Sequence, residues 1–411
     1  MASSVSRRDS PPAGFAFRGR PRPESRIGLP CMTGQKAGIP KQRQSNEIHR
    51  TRSMPKEETR QRIGSAVLRH ELEEREARFL DPRAQLSRET RGRLKPETEC
   101  TLRTAYQRDR DRIVHCKAFR RLKHKTQVFL SPTGDHYRTR LTHTLETSQI
   151  ARTIGRALAL NEDLIEAVAL GHDLGHTAFG HGGESVLNDL VPGGFFHNEQ
   201  SLRIVDILEK NGEGLNLTHE VRDGILKHSK GRADPILLDP EARAETLEGQ
   251  VVRVADITAY LNHDLDDALR AEILSADAIP PDIRMHLGAR HSQRIHAMVE
   301  DVIHSTLEGD LIEVRMSEAM LARVDQLREF LFEHVYDLPQ VREEFRRVRK
   351  IIEDLFDVLM KDDAVFREEI GTPRDGTLKE RQVYDHIAGM TDRYALDLYK
   401  KIFLPKPWMK L

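Results

Sequence analysis

Residues 161–184 read NEDLIEAVALGHDLGHTAFGHGGE, and the rest of the chain is organised around this stretch. Its first half is an apolar run that predicts a helix over 161–173, ending in the adjacent pair His172-Asp173. Its second half adds two more histidines and Glu184 among closely spaced glycines. Imidazole and carboxylate groups hold a divalent metal while leaving positions for water and substrate. The stretch therefore predicts a metal and acid–base cluster at the end of a helix.

Two residues elsewhere in the chain are candidate partners for this cluster. His143 lies within LTHTL, and Asp256 follows the apolar run VVRVA. A charged Asp in an apolar helix needs a partner, and a metal ion is one. A lone His-Asp pair is more often a surface hydrogen bond, but a solvated face does not need three histidines and two acids within thirteen residues. The alternative of a plain surface pair is therefore the weaker interpretation.

The order of one His, a His-Asp pair and a later Asp resembles the HD-domain metal-dependent phosphohydrolases. Longer stretches of the sequence resemble those of the deoxyguanosinetriphosphate triphosphohydrolase family. They are TRLTHTLE (139–146), GHDLGHTAFGHGGE (171–184), FFHNEQSLR (195–203), GILKHS (224–229), ADITAYLNHDLDDALR (255–270), YQRDRDRIVHCKAFRRLKHKTQVF (106–129) and DHIAGMTDRYALDLY (385–399). The resemblance covers roughly residues 66–408, and Ala178 stands where the family phrase HTPFGH would have proline. That difference alters the stiffness of a turn and removes no ligand.

The resemblance implies an all-α fold, the HD-domain helical fold with additional C-terminal helices. It implies a metal set of His143, His172, Asp173 and Asp256. Such nitrogen and oxygen donors suit Mn, Mg, Fe, Co or Ni, and Zn is a further option. A metal there would polarise a phosphate oxygen and hold or acidify a water. The implied reaction is attack on the α-phosphorus of a deoxynucleoside triphosphate, which releases the deoxynucleoside and intact tripolyphosphate.

The remaining histidines and Glu184 receive catalytic roles from the same resemblance. His181 and Glu184, three residues apart, would position the attacking water or relay protons. His197 would protonate the leaving 5′ oxygen, because imidazole titrates near neutrality. His176 would support phosphate binding. The sequence leaves open which of His181 and His197 is the acid and which the base.

Four residues besides His176 are candidate substrate contacts. Arg140 lies three residues before His143, so both project from one helix face and suit a phosphate bridged to a metal. Gln127 matches a family position near the sugar and base. Tyr260 and Asp264 lie on the helix face that carries the last metal ligand, as a sugar platform and a second acid. Core packing is an equally good interpretation of Tyr260 from the residues alone.

Composition limits the class of protein. The chain has 411 residues, enough for one large helical domain or two, and equal numbers of acidic and basic residues, 65 each. No apolar run approaches 18 residues, so no membrane span is expected. The three cysteines show no paired spacing, which predicts a cytoplasmic protein with free thiols.

Three regions are expected. Residues 1–62 form a disordered basic, Pro-rich tail, since residues 1–60 hold 13 Lys or Arg against five acids and seven of the 19 prolines. Residues 63–275 form the HD phosphohydrolase core with its N-terminal lead-in. Residues 276–411 form a C-terminal helical region that packs on the core or at a subunit interface. Its two apolar stripes are Met320, Val324, Leu327, Leu331 and Val335, and Phe345, Val348, Ile352, Leu355 and Leu359.

The expected partner is a deoxynucleoside triphosphate, and the expected assembly is a homo-oligomer. An allosteric deoxynucleotide and single-stranded nucleic acid are further partners left open. Two alternative functions remain. One is a 5′-deoxynucleotidase or phosphodiesterase of the same superfamily, and the other is a nucleic-acid-binding regulator with a relict site. The intact set of expected ligands argues against a relict.

Overall fold

A computed structural model describes residues 68–127, 138–229, 242–373 and 376–405. These residues form helices and connecting segments without a β-strand, and their only bridges are the isolated pairs Arg93–Thr218 and Thr126–Thr139. The all-α fold expected from the sequence is confirmed. The tail expected over 1–62 lies outside the described residues. Within the described ranges, no helix combines the length and the apolar character needed to cross a membrane.

The α-helices are numbered here in chain order. They are α1 Arg69–Phe79, α2 Ala105–His115, α3 Lys117–Arg121, α4 Arg140–Ala157, α5 Glu162–Gly171, α6 Gly180–Leu190, α7 His197–Arg203, α8 His219–Lys227, α9 Leu247–Arg270, α10 Pro281–His286, α11 His291–Glu308, α12 Glu318–Leu331, α13 Pro339–Lys361, α14 Asp363–Glu369, α15 Lys379–Ala388 and α16 Asp392–Phe403. Short 3₁₀ turns lie at Ser87–Glu89, Leu122–His124 and Ala276–Ala278. π-helical turns extend α7 over Ile204–Leu208 and α12 over Phe332–Tyr336, and a kinked turn follows at Glu209–Gly212.

Helix α5 is the centre of the fold. Its residues from Leu164 to Gly171 are almost all buried, because α2, α4, α8 and α9 surround it. Asn161 caps it by accepting hydrogen bonds from the backbone of Asp163 and Leu164. The helix ends at Gly171, two residues earlier than the sequence pattern predicts, so His172 and Asp173 lie on the turn that follows. A side chain at Gly171 would place its Cβ 2.5 Å from Cδ1 of Ile225, so α5 and α8 approach closely there.

Two apolar clusters organise the described residues. The larger runs from Ala84 to Val335 and contains α4, α5 and α9. The smaller joins Phe179, Val186 and Leu187 of the α6 region to α13, α15 and α16. The stripe that ends at Val335 belongs to the larger cluster, and the stripe from Val348 to Leu359 belongs to the smaller. The C-terminal helices therefore supply the packing partner of α6.

Candidate active site

The four candidate metal ligands fall into two overlapping groups. Ligand atoms of His143, His172 and Asp173 lie within 4.8 Å of one another, and those of His172, His228 and Asp256 form a second such group. His143 lies in α4, His172 and Asp173 follow α5, and Asp256 lies in α9. His143 Nε2 is 3.0 Å from Asp256 Oδ1 and 3.8 Å from Asp173 Oδ2. His172 Nε2 is 3.3 Å from Asp173 Oδ1 and 3.6 Å from Asp256 Oδ1. The structure thus brings together residues that are more than a hundred positions apart in sequence.

The ligand atoms fit a divalent cation. Nδ1 of His172 is 2.6 Å from the carbonyl oxygen of Ala169, which can only accept, so Nδ1 carries a proton and Nε2 is the ring nitrogen that can ligate a metal. That Nε2 is buried and makes no well-formed hydrogen bond within the described chain. Donor atoms about 2.1 Å from one cation lie about 3–4 Å from each other. The observed spacings have this size.

The charges of the set also suit a cation. Burial opposes ionisation of Asp173 and Asp256, but the surrounding histidines outweigh it and hold the pKa of both carboxyls well below the usual range. Burial also opposes a charge on His172, yet the two carboxylates raise its pKa to about 9. A metal must displace that proton, so metal affinity should fall as the solution is acidified.

His143 contacts His263, a residue that the sequence did not indicate as part of the site. Its Nδ1 lies 3.1 Å from Nδ1 of His263, and Nε2 of His263 lies 3.3 Å from Glu146. Burial, together with nearby cationic groups, lowers the pKa of His263, so this ring is neutral and can accept at Nδ1. His143 can then donate from Nδ1 and leave the lone pair of Nε2 for a metal ion. His263 lies seven residues after Asp256 on the same helix face, a spacing that could have revealed it.

A second cluster centres on Glu184 and His197. Oε1 of Glu184 accepts from the backbone N–H of His197 at 2.9 Å and from its Nδ1 at 2.8 Å. Nε2 of His197 lies 3.2 Å from Nε2 of His228, whose Nδ1 faces the carbonyl oxygen of Ile225 at 2.7 Å. Because His228 must donate from Nδ1, its Nε2 accepts, and His197 donates from both ring nitrogens. His197 is therefore an imidazolium paired with Glu184.

The pKa shifts agree with this assignment. Burial opposes a charge on His197, but Glu184 outweighs it and raises the pKa of His197 above its ordinary value. Burial, with the charges of His172 and His197, lowers the pKa of His228 to about 3. His228 lies in the stretch GILKHS (224–229), and the sequence pattern alone indicates no role for it. A single His at the end of an amphipathic helix carries no spacing signal, so only the fold reveals it.

His176 joins the two clusters, and His181 lies at their edge. The ring of His176 stacks on that of His197 with centroids 3.9 Å apart, and its Nε2 lies 3.0 Å from Asp173 Oδ1. Nδ1 of His181 lies 3.8 Å from Oε2 of Glu184, and 52% of its side chain is exposed. His181 and His197, the two candidates for acid and base, thus differ in solvent exposure, since the side chain of His197 is only 13% exposed.

Arg140 is buried beside the metal set, and both Arg140 and the buried Gln127 have polar atoms without partners among the described residues. Nη1 of Arg140 donates to Asp173 Oδ2 at 3.1 Å, whereas its Nε and Nη2 have no hydrogen-bond partner among the described residues. Oε1 of Gln127 is likewise unmatched there. Buried guanidinium N–H groups without acceptors destabilise the folded protein. An anion between Arg140 and the metal set would supply those acceptors.

The proposed sugar residues lie on the inner face of α9. Tyr260 is half-buried and packs against the larger apolar cluster. Asp264 is buried, and one of its oxygens accepts a hydrogen bond from the hydroxyl of Tyr336. Its other oxygen has no partner in the described chain, and burial raises its pKa to about 7. Tyr336, on the π-helical turn after α12, is a further residue of this region that the sequence did not indicate.

Comparisons with known proteins place this site in a family. The HD domain family matches residues 140–261, and the phosphohydrolase-associated domain family matches residues 314–401. A deoxyguanosinetriphosphate triphosphohydrolase-like protein of Desulfatibacillum aliphaticivorans is 54% identical over 348 residues, which cover 83% of this chain and 99% of that protein. One of the same description from Caldanaerobacter subterraneus is 52% identical over 343 residues, which cover 84% and 98%.

Among solved structures, a hypothetical protein from Aquifex aeolicus matches with a TM-score of 0.40 and 18% identity, covering 72% of this chain and 68% of that one. The family assignment rests on the sequence relatives. The chain belongs to the deoxyguanosinetriphosphate triphosphohydrolase-like proteins and is an HD-domain, metal-dependent phosphohydrolase.

Proposed function

We propose that the protein hydrolyses deoxynucleoside triphosphates at the α-phosphorus and releases a deoxynucleoside and tripolyphosphate. The name of its relatives, deoxyguanosinetriphosphate triphosphohydrolase-like protein, supports this substrate class. The observation that carries the proposal is the buried guanidinium of Arg140, which has two unmatched nitrogens next to the four ligands. A site with this cation and a divalent metal suits a phosphate chain, because both stabilise its negative charge.

The residues that would hold the cation are His143, His172, Asp173 and Asp256. The chemistry that a divalent cation supplies at this set is Lewis-acid polarisation of a phosphate oxygen. Manganese, magnesium, iron, cobalt and nickel all suit two imidazoles and two carboxylates, and zinc is compatible. Arg140 binds a neighbouring phosphate oxygen through Nε and Nη2, and its bond to Asp173 fixes the guanidinium in position.

His197 is the proton donor in this proposal. When water attacks the α-phosphorus, the bond to the 5′ oxygen breaks and that oxygen takes the electron pair and a proton. His197 holds a proton on Nε2, where its present acceptor is the neutral ring of His228 at 3.2 Å. Glu184 stabilises the imidazolium before transfer. His181, which faces both Glu184 and solvent, would carry the proton released by the attacking water.

Sugar recognition is assigned to Gln127, Tyr260 and Asp264. The ring of Tyr260 under a deoxyribose leaves little room for a 2′-hydroxyl, so ribonucleotides should be poor substrates. Asp264 and Gln127 each have one unmatched buried oxygen that can accept a hydroxyl or amino hydrogen.

The test is chromatography of the products from dGTP with manganese or magnesium, with GTP as the comparison. Deoxyguanosine with intact tripolyphosphate supports the proposal. dGMP with pyrophosphate, or stepwise release of single phosphates, would favour the phosphodiesterase or 5′-deoxynucleotidase alternative. No turnover of any deoxynucleotide with any of these metals would favour the regulatory alternative. Asp173→Ala, which should lose metal and activity together, controls for a contaminating enzyme.

A further inference from the structure

Asp392, the first residue of α16, bridges two distant segments of the site. Its Oδ1 accepts from the backbone N–H of Phe179 at 2.8 Å, and its Oδ2 accepts from the backbone N–H of Thr126 at 2.9 Å. The hydroxyl of Thr126 also donates to Oδ2. The carboxylate is buried, so these charge-assisted bonds are shielded from water. Both oxygens of one side chain are thus used to hold backbone that is more than 200 residues away in sequence.

Phe179 is a position where such support is needed. It has φ 63° and ψ 23°, a left-handed conformation that is unfavourable for a residue with a side chain. It is followed by Gly180, also left-handed, and together they start α6, which carries Glu184. A Cβ at Gly180 would lie 2.9 Å from the carbonyl oxygen of Gln127, so the turn rests directly on the Thr126-Gln127 backbone. Asp392 holds the two sides of this contact together.

Neighbouring residues tie the same C-terminal segment to the site. Nζ of the buried Lys125 donates to the carbonyl oxygens of His176 and Ala388. Asp385 of α15 pairs with Arg203 of α7 through bonds of 2.9 and 2.7 Å. The end of α15 and the start of α16 therefore contact the lead-in at 125–127, the turn at 176–180 and helix α7.

We propose that Asp392 is a positioning residue for hydrolysis, which fixes the start of α6 and thereby the placement of Glu184 against His197. This rests on the catalytic role proposed above for Glu184. A displacement of about 1 Å in a catalytic group costs about 10²-fold in rate. Asp392 touches neither the four metal ligands nor the reacting atoms, so its loss should leave metal binding intact.

The test compares Asp392→Asn with Asp397→Asn in the full-length protein. The Asn side chain keeps the shape of Asp392, but its amide nitrogen cannot accept, so one of the two backbone N–H groups loses its partner. Asp397 lies on the same helix with 59% of its side chain exposed and is the matched control. Thr126→Val, which removes only the hydroxyl bond, is the second variant should Asp392→Asn fail to fold.

Two readouts are expected to change in Asp392→Asn and not in the control. Backbone hydrogen exchange should accelerate in the peptide 176–184 and stay unchanged in 247–256. The kcat for metal-dependent nucleotide hydrolysis should fall by about 10²-fold with little change in KM and with full metal content. In a Glu184→Ala background, Asp392→Asn should cause little further loss, because the group that it positions is already absent.

Unchanged exchange over 176–184 would overturn the inference, and so would an equal, additive loss of kcat in the Glu184→Ala background. The second result would mean that Asp392 acts on overall stability. Exchange is measured without substrate, so it separates this inference from the proposed function. Accelerated exchange together with no triphosphate hydrolysis by the unmutated enzyme would refute the function and leave the anchoring role of Asp392 in place.

Discussion

Replacing His263 by leucine should weaken metal binding without touching a ligand. Both His143 and His263 are buried, and their Nδ1 atoms are 3.1 Å apart. Leucine fills much of the space but cannot accept a hydrogen bond. When His143 ligates through Nε2, its Nδ1–H would then be buried without a partner, at a cost of about 1–3 kcal/mol.

The cost falls mainly on the metal-bound state. Before metal binds, His143 can move its proton to Nε2 and donate to Asp256 Oδ1, which lies 3.0 Å away. Once Nε2 ligates the metal it cannot take the proton, so the unpaired Nδ1–H destabilises the metal-bound state and lowers the affinity for metal. We expect the Kd for Mn²⁺ to rise about 10–100-fold, which corresponds to about 1.4–2.7 kcal/mol.

The assay is a Mn²⁺ titration of chelator-treated protein, by calorimetry or by competition with a metal indicator. His263→Gln is the matched variant, because its amide oxygen can accept from His143 and should restore most of the affinity. Thermal unfolding in chelator checks that both variants fold. Unchanged affinity in His263→Leu would refute the reasoning, and an equal loss in the Gln variant would show that packing, not the hydrogen bond, is responsible.

Three further predictions concern catalysis, pH and packing. Glu184→Ala should keep its metal by elemental analysis and lose about 10²-fold or more in kcat, because the imidazolium of His197 loses its counter-ion. Burial raises the pKa of Asp264 to about 7, so the folded protein binds this proton more tightly than the unfolded chain, and stability is lost as pH rises from about 4 to 7. In chelator, Asp264→Asn should therefore unfold at a higher temperature than the unmutated protein at pH 8, with the gain shrinking toward pH 5. A Cβ at Gly175 would lie 2.2 Å from the backbone of both His197 and Ser201, so Gly175→Ala should lower the free energy of unfolding in urea by about 1–3 kcal/mol or more and reduce activity.

Some parts of the site could be predicted from one sequence for a clear physical reason. A polar group in an apolar helix must have a partner, so the sequence alone indicates His143 and Asp256, and the structure places His143 near Asp173 and Asp256 near His172. The apolar periodicity of the stripe ending at Leu359 likewise indicated burial, and its residues from Val348 on are buried. Local patterns carry this information because the helical repeat decides which side chains share a face.

Other parts depend on contacts that no local pattern records. His228 reaches His197 from another helix, and its role as acceptor follows from a single carbonyl group. The bond from Phe179 to Asp392 spans 213 residues. The difference between His181 and His197 is one of burial beside Glu184, which spacing cannot supply. Helix α5 ends two residues earlier than the sequence predicts, because helix ends depend on the turn that packs against them.

The two apolar clusters divide the chemistry of the site between them. The candidate metal ligands lie on or directly after α4, α5 and α9, whose apolar faces form the larger cluster. Glu184 is held by α6, and His197 follows Phe195, and both the inner face of α6 and Phe195 belong to the smaller cluster with the C-terminal helices. His176 crosses the boundary, since it bonds to Asp173 and stacks on His197. In the proposed function, metal binding and proton transfer therefore depend on different apolar clusters, and the hydrogen bonds of Asp392 and Lys125 connect the lead-in at 125–127 to residues of the smaller cluster. If Glu184 acts as proposed, the C-terminal region has a direct part in catalysis, because the helix that carries Glu184 packs against α13, α15 and α16.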